Sequence, residues 1–149
     1  MHGKPYRRLF AMTALSFAGM YVLMYAMVNT FSNAIPNLNQ FYMVGLMAAL
    51  MVIIELLLMR TMYPNRRWNA AILGTSVVAL LAFWLGIRQQ VAITDQEFLK
   101  SMIPHHAGAI LMCEKAEAKS PEIKELCSNI LASQRAEIDQ MKALLRRGG

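Results

Sequence analysis

Two adjacent histidines, His105 and His106, follow Met102 by three and four positions, and Met112 lies six beyond the second. On a helix, residues spaced by three, four and seven share a face. The run Met102-Ile103-Pro104-His105-His106 therefore aims thioether and imidazole at one place. Together these donors suit a soft metal ion, copper(I) above others. Zinc comes second, because it would need a harder ligand such as Glu137. The chain has three histidines; the third, His2, lies near the N-terminus.

The residues around this run are unusual for a water-soluble domain. The chain has 149 residues, of which 56% are hydrophobic and 16% charged, too apolar for an ordinary soluble protein of this length. Residues 1–93 carry seven Lys and Arg (Lys4, Arg7, Arg8, Arg60, Arg66, Arg67, Arg88) against Glu55 alone, so +6. Residues 94–149 carry eight basic and eight acidic residues, so zero. The basic residues sit between long apolar runs, and they form no stripe of the kind that reads nucleic acid. Nucleic acid is therefore excluded as the expected partner, and a lipid bilayer takes its place.

Three runs, 9–28, 41–59 and 70–87, are long enough to span, since a helix rises ~1.5 Å per residue through a core ~30 Å thick. The first has no convincing small-x-small cleavage site after it and reads as a span, not a signal peptide. Positive charge marks the cytoplasmic side. The N-terminal tail and the Arg60–Arg67 connection should then face the cytoplasm, while the uncharged connection Asn29–Gln40 and everything after the third span face outward. Glu55 lies within the second span but near its end, in reach of the interface or of Arg60. Six methionines in the first two spans (Met20, Met24, Met27, Met43, Met47, Met51) follow helical faces; packing is the plain reading and a copper-passing ladder the sharper one. Gly45-x-x-x-Ala49 is a small-xxx-small contact pattern.

The second part, residues 94–149, reads as a helical hairpin. Thr94-Asp95-Gln96-Glu97 has the capping-box pattern, and a first helix should run to about Lys119 with a kink or break at Pro104. Ser120-Pro121 starts a second helix that reaches about Arg147. Met102, His105, His106, Met112 and Cys113 fall on one stripe of the first helix. Cys127, Gln134, Ile138 and Met141 fall on the facing stripe, with Glu137 at its edge. Gln134 and Glu137 are placed to orient an imidazole. Cys113 and Cys127 stand at similar heights above the turn. They are a disulfide, two buried thiols or two soft ligands, and an oxidising compartment favours the first. A hairpin of this size buries little apolar surface, so its stripe needs a second copy or the membrane part as partner. A pair of copies would make a four-helix bundle.

The hairpin resembles a bacterial family of domains of unknown function, number 305 in its series, grouped with ferritin-like four-helix folds. The resemblance rests on Asp95-x-x-Phe98-Leu99-x-x-Met102-Ile103-Pro104-His105-His106-x-x-Ala109-Ile110-x-Met112 and Gln134-x-x-Glu137-Ile138-x-x-Met141. It covers residues 95 to about 144. Some relatives are periplasmic copper-binding proteins linked to copper tolerance. The resemblance implies Met102, His105, His106, Met112 and Met141 as metal ligands, with Cys113, Cys127 and Glu137 as further candidates and Gln134 as a supporting partner. The signature includes neither cysteine. No Glu-x-x-His occurs, so a di-iron centre is not expected.

These readings combine into an all-α protein of the bacterial inner membrane. A membrane domain occupies residues 1–93, and residues 94–149 form a periplasmic hairpin that assembles as a homo-oligomer and binds copper for sequestration, tolerance or handover. No nucleophile–base pair and no phosphate-binding loop marks an enzyme. Two alternatives remain open: a structural oligomer with the hairpin as assembly module, and a copper channel or transporter. Imidazole must be neutral to bind metal, so affinity should fall below about pH 6.

Overall fold

A computed structural model describes residues 4–148, which leaves His2 outside the described residues. Within them the chain is all-α. The helices are α1 Lys4–Leu23, α2 Leu38–Leu58, α3 Arg66–Gln89, α4 Asp95–Lys115 and α5 Pro121–Arg147, with 3₁₀ turns at Met24–Met27, Phe31–Asn33 and Arg60–Met62. The chain divides into two compact units. One comprises the residues through Leu23 together with Asn39–Ala92; the other comprises Met24–Leu38 and the residues from Ile93 onward.

The first unit holds the apolar runs. Three helices are long and apolar enough to cross a membrane: Lys4–Met27, Leu38–Leu58 and Arg66–Gln89. Asn65 caps α3 by accepting from the N–H groups of Arg67 and Trp68, as a short polar side chain at that position should. At the other end Gln90 adopts the left-handed conformation (φ 49°) and Val91 N–H reaches the Gly86 carbonyl at 3.0 Å, the closure expected of a helix C-terminus. Leu9, Val52, Leu56 and Tyr63 form the buried core. Gly45 has a specific task here. A Cβ on it would fall 2.5 Å from the Phe83 ring, so the small-xxx-small pattern seats α3 against α2 within the chain. Met43 and Met47 are exposed on this unit, in company with Leu15, Leu50, Val78 and Leu81. So much exposed apolar surface suits a lipid environment better than water.

The second unit is the hairpin and its cover. Helices α4 and α5 run antiparallel, joined by residues 116–120. Helix α4 ends at Lys115, four residues short of expectation, because Ala116 is already extended (φ −67°, ψ 122°). A reversal before the Ser120 cap needs those residues outside a helix. Of the kink or break expected at Pro104, the break is absent: α4 is continuous through it. Proline removes one bond of the ladder, to the Lys100 carbonyl, and the buried positions Ile103, Ala107 and Ile110 hold the helix on both sides of it.

The partner required by the apolar stripe comes from within the chain. Ile103, Ala107, Ile110, Ile138 and Met141 form the core, and Val28 and Ile35 of the first connection pack against it. Asn33, buried in that connection, donates from Nδ2 to Asn29 Oδ1 at 2.8 Å and accepts from Lys142 Nζ. The capping box forms only by half. Thr94 Oγ1 accepts from Glu97 N–H at 3.3 Å. The Glu97 carboxylate turns instead to the N–H of Leu38, the first residue of α2, and to Lys100 Nζ, both at 2.9 Å.

Those contacts have a pH signature. The hydrogen bond from Lys100, with lesser help from Leu38 N–H, holds the Glu97 carboxyl below its ordinary value of 4.5 despite some burial. A carboxyl lowered on folding adds stability above its unfolded value, and that stability is lost as pH falls through the folded value. Glu97→Gln should therefore cost about 1 kcal/mol at pH 7, allowing for partial exposure, and nothing once pH is well below 4.5. Unfolding of both forms in detergent at pH 7 and pH 3 tests this; a pH-independent difference contradicts it.

Candidate functional site

His106 sits mid-way along α4 and is buried. Its Nδ1 lies 2.8 Å from the Met102 carbonyl and its Nε2 lies 2.7 Å from Glu137 Oε2. A carbonyl only accepts, so Nδ1 must donate. The proton at Nε2 is then shared with Glu137. Either the imidazolium donates to the carboxylate or the neutral ring accepts from the acid, and the pair is neutral in both cases. Neither ring nitrogen keeps an unengaged lone pair. The carboxylate is half exposed while the ring is not, so one end of the pair meets solvent.

His105, one residue earlier, points elsewhere. It is exposed, and among the described residues its ring makes no hydrogen bond. Its centroid lies 6.0 Å from that of His106, edge to face. Met102, one turn before His105, is half-buried and packs on the core. Met112 is exposed, and Met141 is buried in the core beside Ile138. The five expected ligands are thus divided. His105 and Met112 face out, Met102 lies at the margin, and His106 and Met141 are committed to packing and hydrogen bonds. Gln134 is half-buried and bonds to neither histidine among the described residues.

The cysteines are settled by pairing. Cys113 and Cys127 form a disulfide with Cα atoms 5.2 Å apart, which takes them out of any thiolate site. Helix axes pack 8–10 Å apart, but two Cα atoms that face each other each stand ~2.3 Å off their axis. Ordinary helix packing therefore brings facing Cα atoms within disulfide range. Arg135 and Glu114 add an ion pair at 2.7 Å with both side chains exposed, a kind that contributes little. Among the described residues no three His, Cys, Asp or Glu converge on one point.

Comparison with known proteins places this arrangement. The sequence model of a family described as "Domain of unknown function (DUF305)" matches residues 86–145. The uncharacterized protein L153 of Acanthamoeba polyphaga mimivirus is 33% identical over 140 residues, 90% of this chain and 88% of that protein. The chain belongs to the DUF305 family. No solved structure matches it. The DUF305 match begins before the hairpin, in the last turn of α3, and takes in all of α4. The 140 residues shared with the viral protein exceed the hairpin in length, so that likeness extends into the apolar runs as well.

Sequence reasoning missed two residues of this second unit, Glu97 in the DUF305 match and Asn33 outside it. Glu97 looks like half of a capping box, and only the fold brings Leu38 to it. Asn33 lies in a connection without charge or periodicity, between Ser32 and Ala34, where nothing local marks it.

Proposed function

We propose that the chain is a membrane-anchored binder of soft metal ions, copper(I) first, that holds the ion on the outward face of a membrane for sequestration or handover. The observation that carries this reading is the state of His105, an exposed imidazole without a hydrogen-bond partner among the described residues. One turn before it on the same helix stands Met102, and Met112 lies exposed two turns after it. An imidazole and thioethers suit copper(I). The resemblance to copper-binding relatives points the same way. The His106–Glu137 pair stands beside this edge and would join a metal only by giving up its hydrogen bond. Zinc, which needs the carboxylate, is correspondingly less favoured. The basic residues at one side of the spans and the disulfide on the hairpin support an outward, oxidising location for the hairpin.

A second reading is favoured by a separate observation. Phe98, Met102, His105, Ala109 and Met112 are spaced alternately by four and three, the period of a helix–helix seam. Phe98 and Met112 on that edge, with Leu126 and Leu144 on α5, are 45–57% exposed. A second hairpin seated there would complete a four-helix bundle and bring two His105 side chains to one interface. Assembly and metal binding then share one edge.

Copper retention decides between them. The full chain in detergent is loaded with copper(I) under ascorbate, which leaves the disulfide intact, and its affinity is measured by competition. His105→Ala should weaken binding by about tenfold or more, since even a partner that only orients a metal ligand costs about 10–100-fold when lost. If His105→Ala holds copper as tightly as the unaltered chain, metal binding at this edge is wrong. If it also loses its oligomeric size with no copper effect, assembly is the function.

A further inference from the structure

The first unit contains a cleft of about 450 Å³ at the end where α1 begins and α2 finishes. Lys4, Arg8 and an apolar floor of Leu9 and Met12 come from α1, and Glu55 of α2 and Tyr63 line the cleft with them. Its charges are unspent. Neither cation has an acidic partner among the described residues. Glu55 accepts from the Tyr63 hydroxyl through Oε1 at 3.0 Å, and its second oxygen accepts nothing there. Burial first, and the neighbouring carboxylate second, push the Tyr63 phenol up to about 12, so it stays a donor and fixes the carboxylate in place. Tyr6 braces the same end by donating to Asn69 Oδ1 at 2.8 Å.

We propose that this cleft seats the headgroup of a phospholipid that carries both a phosphate diester and a primary ammonium. Two cations without partners call for an anion, and a phosphate between Lys4 and Arg8 meets that need. A carboxylate across the cleft calls for a cation with N–H donors, which the ammonium supplies. Leu9 and Met12 stand on a helix that is long and apolar enough to span, so acyl chains could follow the headgroup along it. A soluble phosphate monoester has no use for that floor. The inference concerns the membrane unit and stands apart from any metal on the hairpin.

The test uses the full chain in detergent. It is equilibrated with equal amounts of phosphatidylethanolamine, phosphatidylglycerol and phosphatidylcholine of matched acyl chains, and bound lipid is counted by native mass spectrometry. Phosphatidylethanolamine should be preferred about tenfold, the worth of one charge-assisted contact. Lys4→Ala/Arg8→Ala should lower binding of all three lipids about tenfold. Glu55→Gln keeps an acceptor for Tyr63, so it should fold normally and retain lipid while its preference for the ethanolamine headgroup falls to parity. Glycerophosphoethanolamine, the headgroup without chains, should not compete at equal concentration. Equal retention of the three lipids by the unaltered chain overturns the proposal, as does an undiminished ethanolamine preference in Glu55→Gln. Displacement by the chainless headgroup would make this a site for soluble ligands and overturn the lipid assignment.

Discussion

Replacing Cys113 and Cys127 together by alanine should cost the hairpin about 3 kcal/mol, the loop-closure value for a link spanning roughly this many residues. The cysteines are 14 positions apart, and the link lies at the turn end, where α4 stops at Lys115 and α5 starts at Pro121. At the open end, Gln96 Nε2 donates to the Gly148 carbonyl at 2.5 Å. With both ends fastened, the hairpin cannot open from either side. Without the disulfide, what ties the helices near the turn is the exposed Arg135–Glu114 ion pair, a kind that contributes little. The two units of this chain do not oblige it to unfold in one step, so the loss should be read locally. Amide exchange in α4 and α5 should speed up about a hundredfold in the double variant, while exchange in α2 stays the same. Unchanged protection in the hairpin would mean that the two sulfurs are not joined. Thiol labelling of the unaltered chain without reductant gives the complementary result: no reaction if the hairpin matures in an oxidising compartment.

The number and order of the helices were legible because they rest on runs of apolar residues and on caps whose chemistry is local; the end of α4 at Lys115 was not. Asn65, Thr94 and Ser120 each accept the backbone N–H that their type and position call for. The metal-site pattern was legible only as a list of donors on one stripe. A stripe about 120° wide has a centre and two edges, and the fold assigns them different work. Ile103 and Ile110 define the buried direction of α4, which turns His106 inward to Glu137 and leaves His105 and Met112 at the outer edge. That choice depended on Val28 and Ile35, residues about seventy positions away that cover one side of the hairpin. No periodicity within the hairpin encodes which side will be covered. The same distance hid the role of Glu97, whose partner is the backbone of Leu38.

His106 and His105 should accordingly respond to substitution in opposite ways. His106→Ala should destabilise the hairpin by about 3 kcal/mol. It removes the side chain of a residue only 8% exposed, leaving a cavity of the kind that costs about 2–5 kcal/mol in other cores. It also deletes the bonds to the Met102 carbonyl and to Glu137. The carbonyl retains its place in the helix ladder, and Glu137 is half exposed and can turn to water, so little desolvation penalty is added. Glu137→Gln should cost less, about 1 kcal/mol, because the amide still offers an oxygen or a nitrogen to Nε2. His105→Ala should leave stability unchanged within about 0.5 kcal/mol, as exposed substitutions usually do, while carrying the loss of copper affinity. Unfolding and copper titration of these three variants therefore separate support from binding. If His106→Ala loses copper as completely as His105→Ala while keeping full stability, the buried imidazole is a ligand and its contact with Glu137 is one that a metal replaces.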